Sequence, residues 1–347
     1  MSTTAPPRWL SFSGLPAAYG ETPVSGRVHA APEDFVVEEI LPFVPDGEGE
    51  HVLLHLRKIG ANTEWVARRL ASHAGVPVSA VSYAGLKDRN AVASQWFSVH
   101  LGVRAEPAWN DLETGEIEFL GVYRHRRKLR RGTLRGNRFR IRVRELRGDR
   151  GLLEERLAWI GERGVPNYFG AQRFGKAESN LHGAHVLFAG QAKRTPRHLR
   201  GLWLSASRAQ IFNEVLALRV RRCDWDTPLP GDRMLLAGTR SHFLADTVND
   251  ELRGRACDFD VEPSGPLWGA GDLLTAGEPA ELERMVSERF PSWACGLAAA
   301  GMRQERRSLR LRVAQLSSTL EDSDMMLGFE LPAGAFATAV LRELVGT

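Results

Sequence analysis

The sequence predicts an α+β chain of two units, one inserted into the other, and three observations lead there. Residues 27–143 carry repeated strand-like alternation of apolar and polar residues. Residues 163–304 instead carry helices, short strands and frequent Pro and Gly, the pattern of a second compact unit. After Arg303-Gln304-Glu305-Arg306-Arg307 the alternation returns, as expected of strands completing the sheet begun in the first segment. The expected division is therefore 1–162 with 305–347 as one discontinuous domain, and 163–304 as the insertion.

Composition narrows the class. At 347 residues the chain can bury sizeable cores, and 43% hydrophobic with 25% charged residues is an ordinary globular balance. The formal charge is only +4, so the distribution of base matters more than its sum. Residues 1–14 lack a basic cluster followed by an apolar core, so no secretory signal is expected. No run approaches the ~20 apolar residues of a membrane span. Cys223, Cys257 and Cys295 are far apart and odd in number. They offer neither metal-ligand spacing nor a disulfide framework, which fits a reducing cytoplasm.

The elements follow in order. Residues 1–26, rich in Pro, Gly, Ser and Thr, read as an irregular lead-in. Pro32 precedes a strand in which Phe35, Val37 and Glu39 share one face. On spacing Phe35 is a core residue, and an aromatic at a strand start can also flank a base. Asp46, Glu48, Glu50 and His51 sit in a Gly-rich turn before a strand at 52–56. They invite a metal, although such loops are usually solvated turns. Asn62 or Thr63 can cap a helix carrying Val66, Leu70 and Ala74, which Gly75 stops. Short strands are expected at 81–83 and 96–101, with Phe97, Val99 and Leu101 on one face and His100 a surface or satisfied histidine on the other.

Residues 152–160 read as a helix, broken by Gly164-Val165-Pro166. The clearest helix of the middle segment is 205–222, and 265–269 reads as a buried turn. Strands are expected at 310–316 and 326–331. Pro332-Ala333-Gly334 turns the chain into a closing helix at 337–344, and Phe336 beside it is a core residue on spacing alone.

Chemistry enters at Gly85-Leu86-Lys87-Asp88-Arg89. Asp88 lies between two cations on a loop between strands, so its anionic form is favoured. A salt-bridged turn is the plain reading; nucleophilic or general-base work on an anionic substrate is the functional one. From Arg124 to Arg150 the chain holds twelve Arg and one Lys against only Glu145 and Asp149. Within that run Phe139, Ile141 and Val143 alternate with Arg138, Arg140, Arg142 and Arg144, giving an apolar face and a guanidinium face. So one-sided a run favours a polyanion over a merely solvated face, and RNA over duplex DNA, for which no recognition element stands out. Asn137 reads a base edge or makes an Asx turn.

With these residues set out, the chain resembles the TruD family of tRNA pseudouridine synthases, which modify uridine at tRNA position 13. The resemblance runs from about Gly26 to Leu344 and rests on five motifs in order: Pro32-Glu33-Asp34-Phe35, Gly85-Leu86-Lys87-Asp88, Gly136-Asn137-Arg138-Phe139, the run Asn167-Tyr168-Phe169-Gly170-Ala171-Gln172-Arg173-Phe174-Gly175, and Leu331-Pro332-Ala333-Gly334-Ala335-Phe336-Ala337-Thr338. It implies a pseudouridine-synthase catalytic domain with a central mixed, largely antiparallel sheet, interrupted by an inserted α/β TRUD domain. It implies Asp88 as the nucleophile, with Phe35, Asn137 and Phe336 contacting the target nucleoside and Phe139 packing beside the base. His29 departs from the family pattern, which usually has Lys six residues before the Phe, so a titrating group stands in place of a fixed cation. Ser94 stands where Thr is frequent.

On this reading uridine is isomerised without redox change or net hydrolysis, so no cofactor and no metal are expected. Asp88 would start glycosidic cleavage by attack at the ribose or by removing the 2′ proton. The uracil must leave its stack. His29, Lys87, Arg89, Arg138, Arg140 and Arg142 are the expected phosphate contacts, and the expected partner is a tRNA of the tRNA-Glu class. Two rivals predict different behaviour: a noncatalytic RNA-binding module using the same basic cleft, and a metal-dependent nuclease using Asp46, Glu48 and Glu50.

Overall fold

The computed structural model describes residues 7–192 and 194–346, so the first six residues of the expected lead-in lie outside the described residues. The chain forms two compact units. A sheet unit comprises Pro23–Glu154, Val313–Gly334 and Val345–Thr347; a helical unit comprises Met1–Thr22, Glu155–Arg312 and Ala335–Leu344. These bounds differ from the expected division in placing the lead-in and the closing helix with the middle of the chain. The reason is burial: Leu15 is 5% exposed in the helical unit's core, and Trp9, Phe12, Tyr19 and Phe336 pack against it. We keep 163–304 as a proposal for the inserted segment.

The first seven strands belong to the sheet unit: β1 (Val24–Val28), β2 (Phe35–Ile40), β3 (His51–Lys58), β4 (Val81–Tyr83), β5 (Val92–His100), β6 (Ile117–His125) and β7 (Gly136–Gly148), with helix α1 (Thr63–His73) between β3 and β4. The middle of the chain supplies α2 (Arg150–Arg163), β8 (Val165–Pro166), α3 (Ser179–Phe188), α4 (Arg197–Arg221), β9 (Arg233–Leu236), β10 (His242–Leu244), α5 (Asp250–Cys257), β11 (Val261–Leu267), α6 (Gly277–Glu288), α7 (Pro291–Ala299), β12 (Glu305–Ser308) and β13 (Arg310–Leu311). The end supplies β14 (Ala314–Glu321), β15 (Asp324–Pro332), α8 (Ala337–Leu344) and β16 (Val345–Gly346).

The sheet unit is built on a ten-stranded mixed sheet in the order β14-β15-β7-β2-β5-β3-β6, with β1, β4 and β16 added off this path. Among the described residues of this sheet only β2–β5 and β1–β16 pair in parallel. The return of the chain at β14 and β15 completes the sheet, but the strand expected at 310–316 is split: Arg310–Leu311 pairs with Val165–Pro166 in a separate two-stranded sheet, and β14 starts only at Ala314. Register then decides which side chains meet. β7 sets Asn137 opposite Glu39 and Phe139 opposite Val37 on one side, and Leu331 and Phe329 opposite the same two residues on the other. β5 aligns Ala93 with Val37 and Ser94 with Glu38. Because side chains alternate, Phe35, Val37, Glu39, Gln95, Asn137 and Phe139 share one face, and Glu38, Arg138, Arg140, Arg142 and Glu330 share the other. α1 covers the first face over β3 and β5, burying Val66 and Leu70 against Leu54, Leu56, Phe97 and Val99.

In the helical unit α4 is buried along most of its length from Ala206 to Val220, and Phe212, Trp225, Phe290 and Trp293 fill the core around it. Four local expectations change. α4 begins at Arg197, directly after Pro196, whose fixed φ suits a helix start. The segment 265–267 is not a turn but the end of strand β11. A Cβ at Gly265 would press on Leu309 and Phe212, which is why a Gly stands there. β5 starts at Val92 rather than at 96. At α1, Asn62 is the N-cap residue but its side chain makes no capping bond, and the Thr63 hydroxyl is used elsewhere. No helix among the described residues is long and apolar enough to cross a membrane.

Candidate active site

Asp88 stands on the loop between β4 and β5, exposed to solvent. Its Oδ1 accepts a hydrogen bond from the Asn90 amide at 2.9 Å, an Asx turn that sets the carboxylate's direction. Beneath it the loop is tied to buried side chains. The Lys87 amide donates to Thr63 Oγ1 at 3.1 Å, the Thr63 hydroxyl donates to Gln95 Oε1 at 3.1 Å, and Gln95 Nε2 donates to the Gly85 carbonyl at 2.7 Å. Thr63 is 2% exposed and Gln95 fully buried. From β3, the fully buried Lys58 donates Nζ to the carbonyls of Asp88 at 2.9 Å and Ala61 at 2.8 Å. Burial pushes the Lys58 amine down to about 8, while the Asp88 charge pulls it back up. Arg89 Nε donates to the Gly60 carbonyl at 2.7 Å and closes the loop's far side. The result is an exposed carboxylate on a loop braced by buried donors and acceptors.

Around this loop the sheet face carries Phe35, Asn137 and Phe139 of the expected residues. Lys87 is ion-paired with Glu39, whose second oxygen accepts from the Trp96 amide at 2.8 Å. Burial pushes the Glu39 carboxyl up and the Lys87 ammonium opposes it. The Lys87 charge is therefore committed inside the sheet unit rather than offered to phosphate. Asn137 lies between Glu39 and Leu331, and its Oδ1 is buried with no hydrogen-bond partner among the described residues. Orphaned buried acceptors are rare, so an amide held this way is poised for a ligand donor. Gly136 before it has no room for a Cβ, which would run into the Leu331 carbonyl.

Phe35 meets Phe139 edge-on, ring centroids 6.0 Å apart, and Phe139 stacks on Phe329 at 5.3 Å. His29, in the left-handed region at φ 62, stacks on Phe35 at 4.1 Å and 15°. Burial lowers the His29 pKa, against the negative charges of Asp88 and Asp34. His29, Phe35 and Asp88 are thus one neighbourhood.

The guanidiniums of β7 lie elsewhere. Arg138 donates to Glu330 at 2.7 and 3.0 Å and to Glu38 at 3.3 Å, and Arg142 donates to Asp324 at 2.8 Å. Both occupy the face opposite Asn137 and Phe139. Arg140 is exposed on that same face, with no ion-pair partner among the described residues. The acidic turn is also spoken for: Asp46 pairs with His125 at 2.7 Å, Glu50 with His100 at 3.1 Å, and Glu48 with Arg126. Among the described residues no group of three His, Cys, Asp or Glu could hold a metal ion.

Phe336 belongs to the helical unit. There it packs against Phe169 at 5.9 Å, with the Arg173 guanidinium 5.8 Å above its ring. The run Asn167 to Gly175 is held by reciprocal bonds between Phe169 and Asn213, of 2.9 and 3.1 Å. A Cβ at Gly170 would lie 2.6 Å from Thr338 Oγ1, so this Gly lets the segment close on the start of α8.

Sequence reading missed the roles of Lys58, Thr63 and Gln95. For Lys58 and Gln95 a signal existed: each is polar at a position where the pattern calls for an apolar core residue. Gln95 interrupts Ala93 and Phe97, and Lys58 ends the face of Leu54 and Leu56.

Comparison with known proteins bears on these arrangements. A family model described as tRNA pseudouridine synthase D (TruD) matches residues 17–194 and 187–344. The tRNA pseudouridine synthase D of Nitrosococcus oceani is 48% identical over 335 residues, covering 95% of this chain and 94% of the relative. That of Methylococcus capsulatus is 47% identical over 343 residues, covering 99% and 97%. A crystal structure described as a putative tRNA pseudouridine synthase D (TruD) from Methanosarcina mazei shares the fold, with a TM-score of 0.70 at 22% identity over 95% of each chain. The chain belongs to the TruD family of tRNA pseudouridine synthases.

Proposed function

We propose that the uridine this chain isomerises is the one at position 13 of a tRNA of the tRNA-Glu class, and that the Asp88 carboxylate starts the reaction. The observation that supports this reading is an exposed carboxylate on a loop pinned from below by Lys58, Thr63 and Gln95. Breaking N1–C1′ and forming C5–C1′ moves the base without oxidation: C5 gives up its proton and the freed N1 takes one up, so no cofactor enters. Asp88 begins the cleavage either by attack at the ribose or by taking the 2′ proton. The uridine leaves its stack to reach it.

Phe35 and Phe139 are proposed to flank the uracil, and Asn137 Oδ1 to accept a hydrogen bond from the base or the ribose, which would satisfy its buried lone pairs. For Phe336 we propose the nucleoside contact that the family pattern carries. We place the activity in the cytoplasm, where tRNA is found and where three exposed free cysteines stay reduced.

The test is release of tritium from a tRNA-Glu transcript labelled at C5 of uridine. Forming the new bond expels that hydrogen whichever route Asp88 takes. Wild type should release it with the RNA intact, and Asp88→Asn should bind the tRNA without releasing it. Release by the Asp88→Asn variant at the wild-type rate would remove Asp88 from the chemistry.

A further inference from the structure

The densest basic stretch of the chain is Arg126-Arg127-Lys128-Leu129-Arg130-Arg131, and it lies in the loop between β6 and β7. Its one apolar member is its anchor. Leu129 is 1% exposed and packs with Leu53 and Ala84. Its backbone is tied down as well: the amide donates to Ser98 Oγ at 3.0 Å, and the carbonyl accepts from Ser82 Oγ at 2.8 Å. Further along, the Gly132 amide donates to the Ala84 carbonyl at 2.8 Å and the Arg135 amide to the Ile40 carbonyl at 2.9 Å. The segment is therefore laid down on the sheet unit, and at Gly132 it is joined to the loop that carries Asp88.

All five cationic side chains of the stretch are exposed. Arg126 pairs with Glu48, Lys128 donates to the Ser79 carbonyl at 3.1 Å, and Arg131 lies 5.8 Å from the Tyr83 ring. Arg127 and Arg130 have no ion-pair partner among the described residues. The stretch separates two open recesses, of about 750 and about 570 Å³, that share Lys128, Leu129 and Arg130 as a common wall. The larger is walled by Phe43 stacked on His125 at 4.8 Å, and by His51, whose Nδ1 is buried without a hydrogen-bond partner among the described residues. The smaller is walled by Tyr83 and Arg131. Unpaired guanidinium forks fit phosphate oxygens, and aromatic walls beside them fit nucleotides rather than an acidic peptide. Six residues of chain reach at most about 20 Å, so the stretch can meet only a few nucleotides of backbone.

We propose that residues 126–131 form a track for the sugar–phosphate backbone of the tRNA outside the target uridine, with Arg127 and Arg130 as its principal phosphate contacts. This rests on the proposed tRNA substrate. It assigns affinity for the RNA body to the loop, whereas Arg138 and Arg142 of β7 are spent on carboxylates.

The experiment compares wild type with Arg127→Ala/Arg130→Ala and with the charge-keeping Arg127→Lys/Arg130→Lys. Binding of a full-length tRNA-Glu transcript is followed across a salt series, and pseudouridine formation is followed in parallel. The alanine pair should weaken binding roughly tenfold near physiological salt and lower the slope of log K against log salt by about two. KM should rise while kcat at saturating tRNA stays within about twofold, and the lysine pair should recover most of the affinity. Unchanged affinity and slope, with thermal melting confirming the fold, would overturn the track, as would a fall in kcat alone. If wild type formed no pseudouridine, the substrate reading would fail, yet a loss of tRNA binding in the alanine pair would still support the track.

Discussion

The two faces of the central sheet are made by the same strands, yet they do opposite things with their polar residues. On the face of Phe35, Glu39, Gln95 and Asn137, polar groups are buried and aimed at the loop of Asp88 or left with an open acceptor. On the face of Arg138 and Arg142, charges meet charges across the ladder, with Glu38, Glu330 and Asp324 in reach. On the proposed function the first arrangement positions chemistry; the second neutralises much of a strand that would otherwise repel itself. Within β7, the sequence does not tell which arginine stays free: Arg138 and Arg142 are paired, and Arg140 has no ion-pair partner among the described residues.

That contrast can be broken or sharpened by substitution. The largest effect belongs to Asp88→Asn, expected to lower turnover at least ~1,000-fold, about 4 kcal/mol of barrier, with tRNA affinity within about threefold. Next is Gln95→Ala, which leaves the Gly85 carbonyl and the Thr63 hydroxyl without their partner. It should cost about 2 kcal/mol of stability in denaturant melts and lower kcat by roughly 10- to 100-fold, because the loop loses its brace. Normal kcat in a destabilised variant would make Gln95 purely structural.

Asn137→Ala should raise KM roughly tenfold, about 1.4 kcal/mol, while leaving the melting curve unchanged or slightly higher, since it deletes an unpaired buried acceptor. A simple loss of stability would contradict the role given to its Oδ1. His29 yields a smaller, pH-dependent effect. Burial lowers its pKa below the ordinary 6.5, against Asp88 and Asp34, so the ring is neutral at pH 7.5 and takes a proton only in more acid solution. His29→Lys keeps a cation beside Asp88 throughout. It should bind tRNA roughly threefold more tightly at pH 7.5, about one screened contact, with the gap closing as the solution is made acid enough to protonate the histidine. A ratio constant from pH 5 to 8 would show that the charge is not what matters. Smallest is Arg138→Ala on the opposite face. Its exposed ion pairs should be worth under about 1 kcal/mol, and tRNA affinity should move by less than about twofold.

Much of this is legible in the chain. Alternation identifies the strand of Phe35, Val37 and Glu39 and the strand of Phe139, Ile141 and Val143, because a half-buried strand must present every second residue to the core. The alternation that returns near the end of the chain marks β14 and β15, which join the same sheet. Strand patterns on either side of Gly85-Leu86-Lys87-Asp88 put Asp88 on a connecting loop, where it stands. Local sequence can do this because strand period and turn chemistry are properties of neighbours along the chain.

The pairing of charges is not local. Arg138 finds Glu330 at a separation of 192 residues, and Arg142 finds Asp324 at 182. Only the register of β15 on β7 brings them together, so these arginines look free in sequence and are paired in the fold. Lys58 and Gln95 show the same in reverse: the pattern marks them merely as polar intruders on an apolar face. The packing of α1 and the path of the Asp88 loop supply the carbonyls of Gly85 and Asp88 that those buried donors need. Periodicity states which way a side chain faces, but what it meets there depends on segments distant in the chain, and that was decided by tertiary structure.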